Sequence, residues 1–340
     1  MTNSMALRTR LFGAALRMTE KGIEDVVDFP KRRAKRIKLQ CSFGGRRVFG
    51  PVDKRATVEE ITVGAGSRAL IYRPKGAVGP LPCVINYHGG GWVQGNPEQS
   101  GWLSSRVAAR NKAVVIAPSY RLAPEDVFPA AVEDCWAAVT WIAEHAEELG
   151  ISAERLAVMG DSAGGNLAAV MALLARDAGG PPLRAQVLIY PGVEIYDKWP
   201  SEVNNVHDPV LSSANMRAFG RLYLGDDYGT EDFRASPIRA TSHAGLPKAF
   251  IITAEHDPLQ DNGAHYRDAL VAAGVPVRYA EYGGAIHGFM SLPGAVPVAK
   301  KALDDIVEFL SRTFCQCHCH DRLRHMRRDQ RVGCVPHRTV

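Results

Sequence analysis

Val158-Met159-Gly160-Asp161-Ser162-Ala163-Gly164-Gly165-Asn166 is the stretch whose reading decides the fold. A β-forming run, Leu156 to Met159, enters it, and an Ala/Leu-rich helical run, Asn166 to Arg176, leaves it. Gly-x-Ser-x-Gly between a strand and a helix puts the serine on a sharp turn. Its hydroxyl is then raised above the sheet edge beside the unpaired N–H groups that begin the helix. A serine in that place has a strained backbone, and Gly160 and Gly164 keep side chains out of its way. The same pentapeptide also occurs as a plain Gly-rich turn capping a helix, so its weight depends on what surrounds it.

Upstream, the apolar run Cys83 to Tyr87 suits a buried strand and ends in His88-Gly89-Gly90-Gly91-Trp92. Three consecutive glycines cost backbone entropy, and a loop free of side chains can turn several N–H groups toward one developing oxyanion. A phosphate-binding loop is the competing reading, but the spacing fits neither the dinucleotide fingerprint nor the Walker pattern, and lysine is absent. Glu59–Val63 and Ala69–Arg73 read as paired strands, and Ala113–Pro118, Ala185–Pro191 and Ala249–Ala254 as buried ones. Val275–Tyr282 is the last strand and a sheet edge. Helical patterns fall between them: Ser104–Ala109, Phe128 through Ala146, Gly263–Ala273 and Val298–Phe314. This alternation predicts an α/β fold with a mostly parallel central sheet flanked by helices, its functional groups at the carboxyl ends of the strands. Val193 to Asp232 breaks the alternation with Tyr196, Trp199, Met216, Phe219, Leu222 and Tyr223. It is expected to be a helical cap whose aromatics line a substrate pocket.

A serine hydroxyl needs a base to take its proton, and the base needs a carboxylate to fix its tautomer. On this kind of sheet they follow in the order Ser, acid, His, which Ser162, Asp257 and His287 fill, each just after a predicted strand or the turn. Glu255 and Asp261 stand close enough to Asp257 to be the acid instead. His256 and His265 are too near Asp257 along the chain to partner it easily. His145, His207 and His243 lie away from strand ends and read as surface or packing residues.

The composition allows a large core: 340 residues, 46% hydrophobic and 23% charged. The formal net charge of +5 belongs to the ends. Residues 1–50 hold 12 Lys/Arg against 4 acidic residues, and residues 315–340 hold 6 against 2, so the body between is acidic. Leu7, Leu11, Ala15 and Met18 recur at helical spacing, and residues 1–50 are expected to form a helical segment that belongs to the cap. The run Lys31 to Arg36, without interleaved aromatics, reads as a solvated face rather than a nucleic-acid site. No apolar run is long enough to span a bilayer, no secretory signal pattern is present, and a cytoplasmic location is expected.

His88-Gly89-Gly90-Gly91, Tyr120-Arg121-Leu122-Ala123-Pro124-Glu125, Gly160-Asp161-Ser162-Ala163-Gly164-Gly165, Asp257-Pro258-Leu259 and His287-Gly288-Phe289 together resemble the hormone-sensitive-lipase-like (bacterial family IV) esterases of the α/β-hydrolase superfamily, in the Gly-Asp-Ser-Ala-Gly subgroup. The resemblance spans roughly residues 55–314 and implies an α/β-hydrolase catalytic domain over 51–314, with the cap inserted at about 193–232. It implies a carboxylesterase acting on short- to medium-chain acyl esters, with neither metal nor organic cofactor. Ser162 would be the nucleophile, His287 the base and then the acid, and Asp257 its orienter. The oxyanion hole would be formed by N–H groups of Gly90, Gly91 and Ala163, with His88, Gly89 and Asp161 supporting it. Where family members often carry Arg or Cys, then Asp and Glu, after Asp-Pro-Leu, this chain has Gln260-Asp261-Asn262. The edge strand 275–282 offers a surface for a homodimer, and a small-molecule ester is the expected partner. A binding protein without catalysis and an amidase or peptidase using the same triad are the alternatives. Residues 315–340, with Cys315, Cys317, Cys319, His318, His320 and Cys334, are expected to form a disordered basic tail, since their spacing is not that of a standard zinc site.

Overall fold

Eight strands form one sheet: β1 (Ala56–Val63), β2 (Ser67–Pro74), β3 (Leu81–Tyr87), β4 (Val114–Pro118), β5 (Ile151–Asp161), β6 (Leu183–Ile189), β7 (Lys248–His256) and β8 (Val277–Ile286). This is a computed structural model that describes residues 5–19, 22–23, 26–205 and 208–315. The strand order is β1-β2-β4-β3-β5-β6-β7-β8. β1 pairs with β2, and β2 with β4, antiparallel; every pairing from β4 to β8 is parallel. The interior strands are apolar runs because both their faces are covered. In β5, Leu156 and Val158 enter the core on one face while Ala157 and Met159 enter the core on the other.

One face is covered by α5 (Ala130–Glu144), α6 (Ala163–Asp177) and α9 (Gln260–Ala272), whose residues Val139, Leu167 and Leu270 belong to its core. The other is covered by α4 (Gly101–Asn111) and α10 (Ala299–Cys315). In α10 the buried residues Ala302, Leu303, Ile306, Val307, Leu310 and Phe314 follow the 3–4 spacing of a single apolar stripe. The right-handed layering puts the loops after β3, β5, β6, β7 and β8 at one end of the sheet. The edge strand predicted over 275–282 starts two residues later and runs four residues further, because its backbone stays paired with β7 as far as Ile286.

Two short helices lie in the segment predicted to interrupt the alternation: α7 (Pro200–Asn204) and α8 (Ser213–Leu224). Before β1 stand α1 (Leu7–Thr19), α2 (Phe29–Cys41) and α3 (Phe43–Phe49). The side chain of Asp28 caps α2 by accepting the Lys31 N–H, and Pro30 occupies its first turn. The backbone N–H of Ile23 donates to Asn215 Oδ1 at 3.0 Å, which ties the N-terminal segment to α8.

Two expectations for this segment are corrected. The α1 stripe is not buried at Leu7 and Leu11, which are 69% and 63% exposed. The inward face carries Thr9, which donates to Ala295 O at 3.2 Å, and Gly13, where a Cβ would lie 2.9 Å from Pro209. Phe12 packs beside them against the core. The basic run is solvated at Lys31 and Lys35, but the Arg33 side chain is only 19% exposed and turns into the molecule.

Among the described residues, no helix is long and apolar enough to cross a membrane. The predicted tail beyond Cys315 lies outside the described residues, with Cys317, Cys319 and Cys334.

Asn166, fully buried in α6, donates through its side-chain amide to Gly192 O and Ala235 O, each at 2.8 Å. Asn166→Ala leaves both carbonyls buried without that donor. It is expected to lower the unfolding free energy by about 2–4 kcal/mol, read by denaturant titration.

Candidate active site

At the end of β5 the chain turns through Ser162 with φ 57° and ψ −118°, a geometry that costs a non-glycine residue on the order of 1–3 kcal/mol. Surrounding structure holds it there. Ser162 N–H donates to Ile189 O at 2.9 Å, and Ser162 O accepts the Asn166 N–H at 3.0 Å as α6 begins. The glycines on either side are required by close approach. A Cβ on Gly160 would collide with the Gly164 carbonyl, and one on Gly164 with the Tyr87 carbonyl.

Asp257 follows β7 and is fully buried. Its Oδ1 accepts the Leu259 N–H at 2.8 Å, and its Oδ2 lies 2.7 Å from His287 Nδ1. A carboxylate can only accept, so Nδ1 carries the proton and Nε2 presents a lone pair. Nε2 is 2.9 Å from Ser162 Oγ. The structure thus brings Ser162, His287 and Asp257, 125 and 30 residues apart along the chain, into one hydrogen-bonded line. Burial opposes a charge on His287, but the carboxylates of Asp257, Asp208 and Asp161 outweigh it and hold its pKa above the ordinary 6.5.

The glycine loop after β3 is braced on several sides. Gly89 N–H donates to Asp161 Oδ1 at 3.0 Å, and Gly89 O accepts from Gln99 Nε2 at 3.1 Å and His88 Nδ1 at 2.9 Å. Tyr120 stacks on the His88 ring at 4.3 Å and donates its hydroxyl to His88 O at 2.7 Å. Burial lowers the His88 pKa to about 4, so this ring is neutral and enclosed. Burial raises the Asp161 carboxyl to about 6, although the Gly89 N–H favours its anion.

A recess partly open to solvent lies above Ser162. Gly91, Trp92, Ala163 and Leu259 line it from the sheet side, and Ile195, Leu211, Met216 and Phe219 from the segment carrying α8. Phe219 presses on the glycine loop so closely that a Cβ on Gly91 would run into its ring. The expectation that the aromatics of 193–232 line the pocket holds only for Phe219. Tyr223 stacks on the far side of Trp92 at 4.5 Å, Trp199 packs against His265, and Tyr196 against Tyr228. A helix shows one face to a recess, so its other large residues must pack elsewhere.

The alternative acids are occupied elsewhere: Glu255 accepts the Gly284 N–H at 2.7 Å, and Asp261 accepts the Ser201 N–H at 2.8 Å. His145 stacks on Trp141 and His243 bonds Pro237 O, as packing residues do, while His207 lies outside the described residues. Asn262, at the departure after Asp-Pro-Leu, uses Oδ1 to accept the N–H groups of Val193 and Glu194, fixing the wall of the recess.

Sequence reasoning missed Asp208. Its Oδ1 accepts the Val210 and Leu211 N–H groups at 2.8 and 2.7 Å, and its Oδ2 approaches the His287 N–H at 3.4 Å. Burial and the nearby Asp257 charge raise its carboxyl to about 7. Nothing in the local pattern of an Asp-Pro turn announces a contact 79 residues away. Among the described residues, no group of three or more His, Cys, Asp or Glu side chains could hold a metal ion.

An activated hydroxyl, an oriented imidazole and a bare loop above an apolar recess can carry out acyl transfer. A family model described as the alpha/beta hydrolase fold matches residues 84–291. The chain is 42% identical over 222 residues to an esterase named LipI from Mycobacterium tuberculosis, covering 65% of this chain and 69% of that one. It is 41% identical over 252 residues to the carboxylesterase NlhH of the same organism, covering 72% and 79%. The structure is also similar, at TM-score 0.83 and 37% identity, to an ester hydrolase from the metagenome of Lake Arreo, solved with a derivative of bipyridine phosphonate. That match covers 91% of this chain and 99% of the other.

A fluorophosphonate is expected to modify the wild-type protein at Ser162 and to leave Ser162→Ala unmodified, read by intact mass. Attack needs a neutral His287, whose pKa is raised. The labelling rate should therefore climb as pH rises, with its limb above 6.5. A limb well below that value would contradict the charge arrangement.

Proposed function

The chain belongs to the α/β-hydrolase fold family and is a carboxylic ester hydrolase, and we propose that it cleaves short- to medium-chain acyl esters through Ser162, His287 and Asp257. The observation that carries this reading is the line of hydrogen bonds from Ser162 Oγ through the His287 ring to Asp257, at 2.9 and 2.7 Å.

In this mechanism Ser162 Oγ attacks the ester carbonyl carbon while its proton passes to His287 Nε2. The carbonyl oxygen becomes an anion held by the N–H groups of Gly90, Gly91 and Ala163. His287 returns the proton to the departing alkoxide, leaving an acyl group on Ser162. Water, deprotonated by the same imidazole, then attacks that ester, and the acid is released as the imidazolium returns its proton to Ser162 Oγ. Asp257 keeps the Nδ1 proton in place and stabilises the imidazolium in both halves. Asp161 holds Gly89, and His88 braces the loop without exchanging protons with substrate. The segment 193–232, together with the N-terminal helices, forms the cap, and Phe219 closes the acyl side of the recess. Matched ester and amide substrates separate this activity from an amidase on the same residues.

β8 lies at an edge of the sheet, so the homodimer we propose pairs two such edges; a monomeric mass in sedimentation would remove it. A cytoplasmic location belongs to the same reading and is checked by cell fractionation.

Ser162→Ala should lower kcat by on the order of 10³–10⁶ with p-nitrophenyl esters, leaving only binding and oxyanion stabilisation. Phe219→Ala opens the recess. With a p-nitrophenyl chain-length series, kcat/KM for medium-chain esters should rise relative to acetate by about fivefold or more. An unchanged chain-length profile would show that another residue sets the limit.

A further inference from the structure

Arg33, on the N-terminal helix α2, reaches the active-site loops with its whole guanidinium. Nε donates to Val93 O at 2.7 Å and Nη2 to Ala123 O at 2.7 Å. Nη1 and Nη2 meet Glu125 Oε1 and Oε2 at 3.0 and 2.7 Å. This contact holds the Glu125 carboxyl below its ordinary range. The two loops it spans are already joined by the Ala123 N–H, which donates to Trp92 O at 2.9 Å.

What makes the contact more than a tie is the order of the peptide groups beyond it. A trans peptide is planar, with its C=O and N–H pointing in opposite directions. The Val93 carbonyl that receives Arg33 shares its peptide with the Gln94 N–H. That N–H donates to Gly90 O at 3.0 Å. The Gly90 carbonyl in turn shares its peptide with the Gly91 N–H, one of the groups assigned to the oxyanion. A cation at one end of such a row aligns each dipole behind it and strengthens the last donor.

We propose that Arg33 is a positioning residue for the oxyanion hole, orienting and polarising the Gly91 N–H through the Val93–Gln94 and Gly90–Gly91 peptides. The N-terminal helix thereby completes the active site. This rests on the oxyanion role given to Gly91 above.

The test compares wild type, Arg33→Ala and Arg33→Gln, the last keeping a neutral donor within reach of Val93. Each is measured for kcat and KM with a p-nitrophenyl ester, and for Ki with a trifluoromethyl ketone that forms a tetrahedral oxyanion adduct on Ser162. Loss of an oxyanion donor outright costs on the order of 10²–10³, and a donor left in place but misaligned costs less. Arg33→Ala is expected to lower kcat about tenfold and weaken the ketone by a similar factor, with KM changed less than twofold. Arg33→Gln should show the same paired loss, smaller in size. If Arg33→Ala does not fold, Arg33→Gln carries the test alone. Values of kcat and Ki within twofold of wild type overturn the proposal, as does a loss confined to KM or one in which kcat falls while Ki stays. A wild-type protein that does not react with the ketone, or full activity in Ser162→Ala, would overturn the hydrolase mechanism itself and this inference with it.

Discussion

The backbone of Ser162 is the constraint on which the rest depends. A serine at φ 57° relaxes to an ordinary conformation unless its neighbours forbid it. Here the β3 backbone lies against Gly164, β6 accepts the Ser162 N–H, and α6 starts at once behind it. A sheet covered on both faces gives such over-determination, because its packed neighbours leave the turn no room to relax. The large two-sided core is therefore part of the chemistry: it fixes one hydroxyl above the carboxyl ends of the strands.

Charge is the second organising element. Three acidic side chains, Asp257, Asp208 and Asp161, face one imidazole inside a largely dry region. Asp257 is held by an N–H and the imidazole, whereas Asp208 and Asp161 have carboxyls raised toward neutrality by burial. Each is tied to a different segment: Asp161 to the glycine loop, Asp208 to the turn that leads into α8, Asp257 to the histidine itself. The field that raises the His287 pKa is thus built from the same residues that register the loops around it.

Much of this was legible in the chain. The turn at Gly160–Gly164, the triple glycine and the order Ser, acid, His mark themselves because their chemistry demands particular residue types at short spacing. The alternation of apolar runs and helical stripes gave the sheet and both its covers. The helical stripe Leu7–Leu11 misled, since amphipathic spacing shows that a helix can bury a face, not that it does so. The basic run misled at Arg33 for a related reason. A long side chain can turn inward whenever carbonyls and a carboxylate await it, and their positions are set by loops 60 to 92 residues away.

The sequence by itself determined the fold class, the glycine-flanked serine turn and the bare glycine loop, because local backbone sterics and hydrophobic periodicity are written in neighbouring residues. Only the tertiary structure decided which acid meets His287, which aromatic borders the recess, and where Asp208 and Arg33 make their contacts. Those outcomes depend on where distant loops arrive in space, and a contact across 79 residues leaves no periodic trace in the chain.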